Sequence, residues 1–358
     1  MKYRLKILFS SSFILPLYFL FAFGFSLFPS SCSAQSIQTF QPYPGISIRA
    51  LEVFNDSTVW FAANHGVYGY TENGGKTWKI DSLVYGKIQP EFRSIAVLND
   101  SSVLLLSISS PALLYRTTNK GKNWKLVYSN DQKDIFFDCM KFWDAKHGMA
   151  IADPIDGKIQ VITTKDGGKT WKINTKSKFP EMEKGEAFFA SSNSNMVFQN
   201  QHSWIATGGK KSGVFYSPNG GKFHIVQNTP LPEGEEMTGI YSIDFYDEKL
   251  GVVAGGIYDK ADTSIISLAI TGNSGKNWNA IKLDKPVFGS CAQFLNENEI
   301  LLTGSPGTFH YSIKENTLNE LLNSENQSIG FHTLRISTSR KTLWLAGKNG
   351  SIGKLTFD

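Results

Sequence analysis

Cysteine is nearly absent from this 358-residue chain: there are three, and only Cys139 and Cys291 lie beyond residue 34. That excludes a small fold stapled by disulfides. Histidine is also scarce, with six residues and no two at metal-ligand spacing, so no metal site is expected. No Gly-x-Ser-x-Gly elbow occurs. The Gly208–Ser212 stretch resembles a phosphate loop in composition only, because it lacks both the spacing and a following helix pattern. No cofactor is expected either. Charged residues make up 19% of the chain, and the formal +5 falls to +2 once the leader residues Lys2, Arg4 and Lys6 are set aside. Such a balance gives no basis for nucleic-acid binding.

What the chain has is one apolar N-terminal run and a wealth of β-forming residues and glycine. The run, Ile7 to Phe28, follows three basic residues and is followed by small ones, Ser30 to Ala34, as in a secretion signal. Two outcomes stay open: cleavage after Ala34, or lipid attachment at Cys32 as in bacterial lipoproteins. The expectation is an exported protein, periplasmic or an outer-membrane lipoprotein, that meets a membrane only through such an anchor. Residues 35–358 then form one domain; aromatic residues are 13% of the chain and glycines number 32, a globular, turn-rich composition.

A repeat dominates that domain. The segment from Thr71 through Asn73, Gly75 and Thr77 to Trp78 recurs at Thr117–Trp124, Thr164–Trp171, Ser217–His224 and Thr271–Trp278, with end positions 46, 47, 53 and 54 residues apart. The spacing and chemistry describe a tight hairpin in which Asn or Asp accepts backbone N–H groups, glycine takes positive φ, and Trp packs the returning strand. Two strand-like runs precede each copy, one run leads into it and one leaves it. The innermost strands are expected at Ile48–Phe54, Phe92–Leu98, Phe137–Trp143, Ala187–Ser192, Tyr241–Tyr246, Ser290–Leu295 and His332–Ser337. This predicts an all-β, seven-bladed β-propeller of four-stranded antiparallel blades. The seventh blade runs out of chain after three strands, so Ser36–Gln41 is expected to supply its fourth and close the ring. Cys139 and Cys291 fall at the same place in blades three and six, too far apart for a bridge, and read as small buried hydrophobes.

The repeated turns mark one face of the disc. Residues that begin the inner strands mark the mouth of the central channel on the other: Arg49, Arg93, Asp138, Glu186 beside Ala187, Tyr241, Ser290 and His332. Loops on that face add His65, Asp153, Lys210 and Tyr258. Solvated channel lining is one reading of this ring. The other is recognition of an anion, a carbohydrate or a partner protein, since an arginine fork binds carboxylates bidentately.

The repeated turns resemble the Asp-box, or BNR, motif. The residues around Arg49, Arg93, Phe136–Asp144, Asp153–Gly157, Gly185–Ser191, Trp204–Gly209, Gly239–Ser242, Gly255–Tyr258 and Gly330–His332 are similar to those of exported bacterial propellers related to photosystem II stability and assembly factors, also labelled glycosyl-hydrolase-like. The resemblance runs from about residue 36 to the end. It implies a propeller fold and a non-catalytic binding or assembly scaffold; for an exported chain the expected partner is an envelope protein or a carbohydrate or other anionic ligand. At Gly289-Ser290 the chain departs from the family pattern, which has an arginine there. The rival is a sialidase-like glycoside hydrolase, which needs three arginines around a carboxylate, a Tyr nucleophile with a Glu partner, and an acid. Five arginines follow the leader and only Arg49 and Arg93 reach the mouth, with Tyr241 and Glu186 the candidate pair.

Overall fold

The computed structural model describes residues 36–175, 179–223, 225–261, 263 and 266–357. The leader with Cys32, and His224 of the fourth repeated turn, lie outside them.

Alternation of large apolar and small residues produces seven sheets whose strands are antiparallel. Their innermost strands are Ile48–Val53, Phe92–Val97, Phe137–Phe142, Met196–Gln199, Thr238–Phe245, Cys291–Asn296 and Thr333–Ile336. The chain is a seven-bladed β-propeller. Its core is distributed as seven apolar layers between neighbouring blades. Trp60 and Tyr68 of blade one, for example, pack with Ile95 and Leu105 of blade two. Met149 and Val161 of blade three pack with Ile205 and Phe215 of blade four.

The last layer closes the ring. Gln38–Phe40 pairs antiparallel with the final strand, Ile352–Thr356, in the register Gln38 to Lys354 and Phe40 to Ile352. Ile37 is fully buried against blade seven. Phe40 stacks on Trp344 with ring centroids 6.3 Å apart, and Trp78 of blade one meets the same indole edge-on at 6.1 Å. N- and C-terminal segments thus share one sheet, and blade one packs directly on blade seven.

Four of the five repeated turns show the expected pair of hydrogen bonds among the described residues. In the first, the amide of Gly75 donates to Thr71 Oγ1 at 3.0 Å and the amide of Thr77 to Asn73 Oδ1 at 2.9 Å. The same pattern returns around Asn119, Asp166 and Asn273. Gly75 has φ +89°, a conformation open at low cost only to glycine, and lies against blade seven; a Cβ there would sit 3.0 Å from Trp344 and 3.2 Å from Phe40. The turn tryptophans pack inward: Trp171 meets Phe142 edge-on at 5.8 Å, and Trp124 meets Tyr68 of the neighbouring blade at 5.0 Å.

Blade four departs from expectation. Its inner strand is Met196–Gln199, not Ala187–Ser192. Of the expected segment only Ala187 is in a strand: Glu186–Ala187 pairs with Gly208–Gly209, which in turn meets Gly239 of blade five. The eight residues between do something else, described below.

Candidate functional site

The mouth residues owe their placement to bulges. In blade one Ile48 pairs with Ala63 and Ala50 with Ala62, so Arg49 is the extra residue of the inner strand. The same skip in register occurs at Arg93, between Phe92 and Ser94, at Asp138, between Phe137 and Cys139, and at Tyr241, between Ile240 and Ser242. A bulge frees its extra residue from the alternation of faces and re-aims its side chain. Four blades use this device at one level of the channel.

Beneath the mouth the channel is filled. Residues Ala190 to Asn195 leave blade four and run through the axis, and Ser192, Asn193 and Asn195 are fully buried. These polar side chains and carbonyls are tied to the surrounding blades. Arg335 of blade seven donates to the carbonyls of Ser192 at 3.2 Å and Asn193 at 2.6 Å. Thr333 donates to the Ser192 carbonyl at 2.9 Å. Ser94 of blade two donates to Asn193 Oδ1 at 2.6 Å, and Asn193 Nδ2 donates to the Ile95 carbonyl at 3.0 Å. Ser192 donates to the Ser290 carbonyl at 2.8 Å, and Ser194 to Ser242 Oγ at 2.9 Å. Blades two, five, six and seven therefore hold the plug through specific bonds. The two cysteines flank it as free buried thiols, Cys139 against Asn193 and Cys291 against Ser194. They are small and buried as expected, but their surroundings are polar.

The plug gives the mouth a floor. Above it lies a cavity of about 410 Å³ lined by Arg49, Arg93, Asp153, Phe189, Glu236, Met237, Tyr241 and Tyr258, among others. Arg93 is paired with Glu91 at 2.6 Å and reaches the Ala190 carbonyl at 3.4 Å. Arg49 reaches the Ser191 carbonyl at 3.3 Å and adjoins the Tyr258 hydroxyl, and it has no ion-pair partner among the described residues. Burial, then the neighbouring Arg93 charge, holds its guanidinium below its usual pKa, with Tyr258 opposing. A partly buried guanidinium without a carboxylate of its own is favoured by an anion that completes it. One wall is aromatic: Tyr241 stacks on Phe189 at 4.2 Å, and Tyr258 and Phe288 pack on the other side.

The remaining candidates separate. Asp138 is fully buried below the cavity, and its carboxyl oxygens have no hydrogen-bond partner. Burial, then the charge of Asp153, pushes its pKa well up, softened by Arg93 and by the nearby N–H groups of Ala190 and Asp153. Glu186 is away from the cavity, accepting from Thr207 Oγ1 at 2.6 Å and from the Glu183 amide at 3.0 Å; burial raises its pKa. His332 lines a second cavity that shares Tyr258 with the first. Tyr241 donates its hydroxyl to the Met237 carbonyl at 3.0 Å, and burial pushes its pKa up. Tyr241 and Glu186 are not hydrogen-bonded to each other. Sequence reasoning had noted Asp153 only as a loop residue. It lines the cavity, accepts the Phe188 amide at 2.9 Å, and is pushed up to about 6 by burial. Among the described residues no cluster of His, Cys, Asp and Glu has the arrangement to hold a metal ion.

Fold and mouth together define a propeller with a floored polar cavity at one end of its channel. Solved structures sharing that fold include a structure described as YCF48 bound to D1 peptide, with TM-score 0.64, 14% identity, and coverage of 90% of this chain and 97% of that one. YCF48 from Cyanidioschyzon merolae follows with TM-score 0.63, 12% identity, and coverage of 90% and 98%. The WD40 repeats of RRP9 match at TM-score 0.62, 13% identity, and coverage of 90% and 98%. At these identities the likeness is one of fold. No protein-family model matches the sequence, and no curated protein matches it.

Proposed function

We propose that this chain is an exported, non-catalytic binding scaffold that holds a segment of a partner protein over the channel mouth by a carboxylate. The observation that carries this reading is Arg49: partly buried, without a carboxylate of its own among the described residues, and beside the already paired Arg93. An aromatic wall of Tyr241, Tyr258 and Phe189 next to that charge suits an apolar side chain adjoining the carboxylate. A protein partner also agrees with the neighbour whose structure includes a D1 peptide. The leader supports export, which makes an envelope protein the natural partner class. The test is purification of the tagged protein from the envelope after crosslinking, in wild-type and Arg49→Ala forms, with mass spectrometry of the captured proteins. The reading requires a partner captured by the first form and lost from the second, and partners retained equally by both would refute it.

A further inference from the structure

The second cavity, about 280 Å³, adjoins the mouth through Tyr258 and is lined by Phe288, Ser290, Ser305, Gly330, Phe331, His332 and Lys348. Its lining carries one cation and no carboxylate. His332 is 9% exposed, and its backbone is engaged at both ends: its amide donates to Ala346 and its carbonyl accepts from Ser290 Oγ. Among the described residues its imidazole has no hydrogen-bond partner, and its ring nitrogens are open to the cavity rather than sealed in the core. Lys348, exposed at the rim, has no ion-pair partner among the described residues. The charged groups acting on His332 are Arg49, Lys348 and Arg93, all positive; burial first and these three after it push the imidazole down to about 3. An imidazole open to a cavity that carries no carboxylate, in a field of three cations, favours an anion as its ligand.

Resting on the reading of the mouth as a carboxylate site, we infer that the two cavities form one bipartite site, and that His332 and Lys348 take a second carboxylate of the same ligand. Tyr258 stands between the halves, so the ligand bears two carboxylates close together, as at the end of a peptide chain whose last residue is acidic. Binding there supplies His332 with an acceptor and offsets the cations that keep it neutral, so it also draws a proton onto the ring.

The probes are acetyl-Ala-Ala-Ala-Glu with a free C-terminus and the same peptide ending in Gln, with an Asp and Asn pair covering a shorter reach. Affinities are measured by calorimetry at pH 6 in two buffers of different ionisation enthalpy, which also counts protons taken up. The expectation is that one acidic peptide binds about tenfold more tightly than its amide twin with net proton uptake. That advantage disappears in Lys348→Met, and the proton uptake in His332→Gln, while the amide peptides bind both variants as they bind wild type, which controls for folding. Equal affinity within both pairs, lost in Arg49→Ala, overturns this inference and leaves the mouth reading intact. An acid advantage that survives both cavity variants overturns it too. Failure of all four peptides to bind overturns both readings.

Discussion

Arg335, on the inner strand of blade seven, donates a 2.6 Å hydrogen bond to the carbonyl of Asn193, in the plug supplied by blade four. The same guanidinium donates to Ser192 and Leu334 and lies 3.6 Å from Glu52 of blade one. One buried cation therefore ties blades one and seven to the plug, and, against burial, the Glu52 charge favours its protonated form.

Arg335→Ala should destabilise the protein by about 3–5 kcal/mol, the range for removing one partner of a buried ion pair. The Asn193 carbonyl would lose the Arg335 donor, the Ser192 carbonyl would be left with Thr333 alone, and Glu52 would keep Lys141 but lose its second cation. Denaturant unfolding measures this, and a loss under about 1 kcal/mol would contradict the central role given to the bond.

Deleting residues 36–41 should lower the melting temperature by several degrees. It removes the strand paired to Ile352–Thr356, the buried Ile37 and the Phe40–Trp344 stack, at about 2–4 °C per kcal/mol for large domains. A scanning calorimetry trace matching wild type would mean that blade seven is stable with three strands.

Asp138→Asn should stabilise the protein at pH 8 and leave it nearly unchanged at pH 4. The folded-state pKa of Asp138 lies above its unfolded value, so the folded state binds the extra proton and stability falls as pH rises from about 4 toward the folded pKa. Asn imitates the protonated carboxyl and removes that dependence. Melting temperatures of the two forms across pH 4–8 decide the matter: parallel curves would show that Asp138 does not titrate with unfolding.

Trp171→Ala should cost about 3–5 kcal/mol, as for other large-to-small changes in a core, because Trp171 is 8% exposed and packed on Phe142. The folded fraction should keep full affinity for whatever binds the mouth. Selective loss of binding with unchanged stability would assign the repeated turns a recognition role.

Carboxylate binding at the mouth should weaken as pH rises through 6. Asp153 lines the cavity and is pushed up to about 6; above that pH its charge competes with the ligand for the arginines. Asp153→Asn should flatten the profile between pH 5 and 7.5. Arg49→Ala should weaken binding more than Arg93→Ala, because Glu91 already neutralises Arg93. Calorimetric titration of the same peptide at each pH reads both effects, and an equal loss from the two arginine variants would mean that Glu91 does not shield its partner.

The propeller was legible because its signals are local. A turn that needs Asn or Asp, Gly and Trp within eight residues announces itself, and the unpartnered last strand pointed to Ser36–Gln41. Alignment of the strand starts also picked out Arg49, Arg93, Asp138 and Tyr241, four residues that prove to be bulge positions. The plug was not legible. Ser191–Asn195 is a polar run of the kind that reads as a surface segment, and its burial depends on partners such as Thr333 and Arg335, more than 140 residues away. Nor could the sequence separate Glu186, one residue from a fair guess, from Asp153, whose place in the cavity depends on how the blade-three hairpin bends over the mouth.

The bulges also bear on how such a protein diversifies. A residue inside a ladder must suit its cross-strand neighbours and its face of the sheet, so few substitutions are tolerated there. Arg49, Arg93, Asp138 and Tyr241 are outside the pairing register, yet fixed in space by strands that are within it. Replacing Arg49, Arg93 or Tyr241 changes what the mouth presents without asking the ladder to re-register. Propellers of this design can therefore acquire new specificities one blade at a time, with the fold acting as a socket and the bulged side chains as interchangeable inserts.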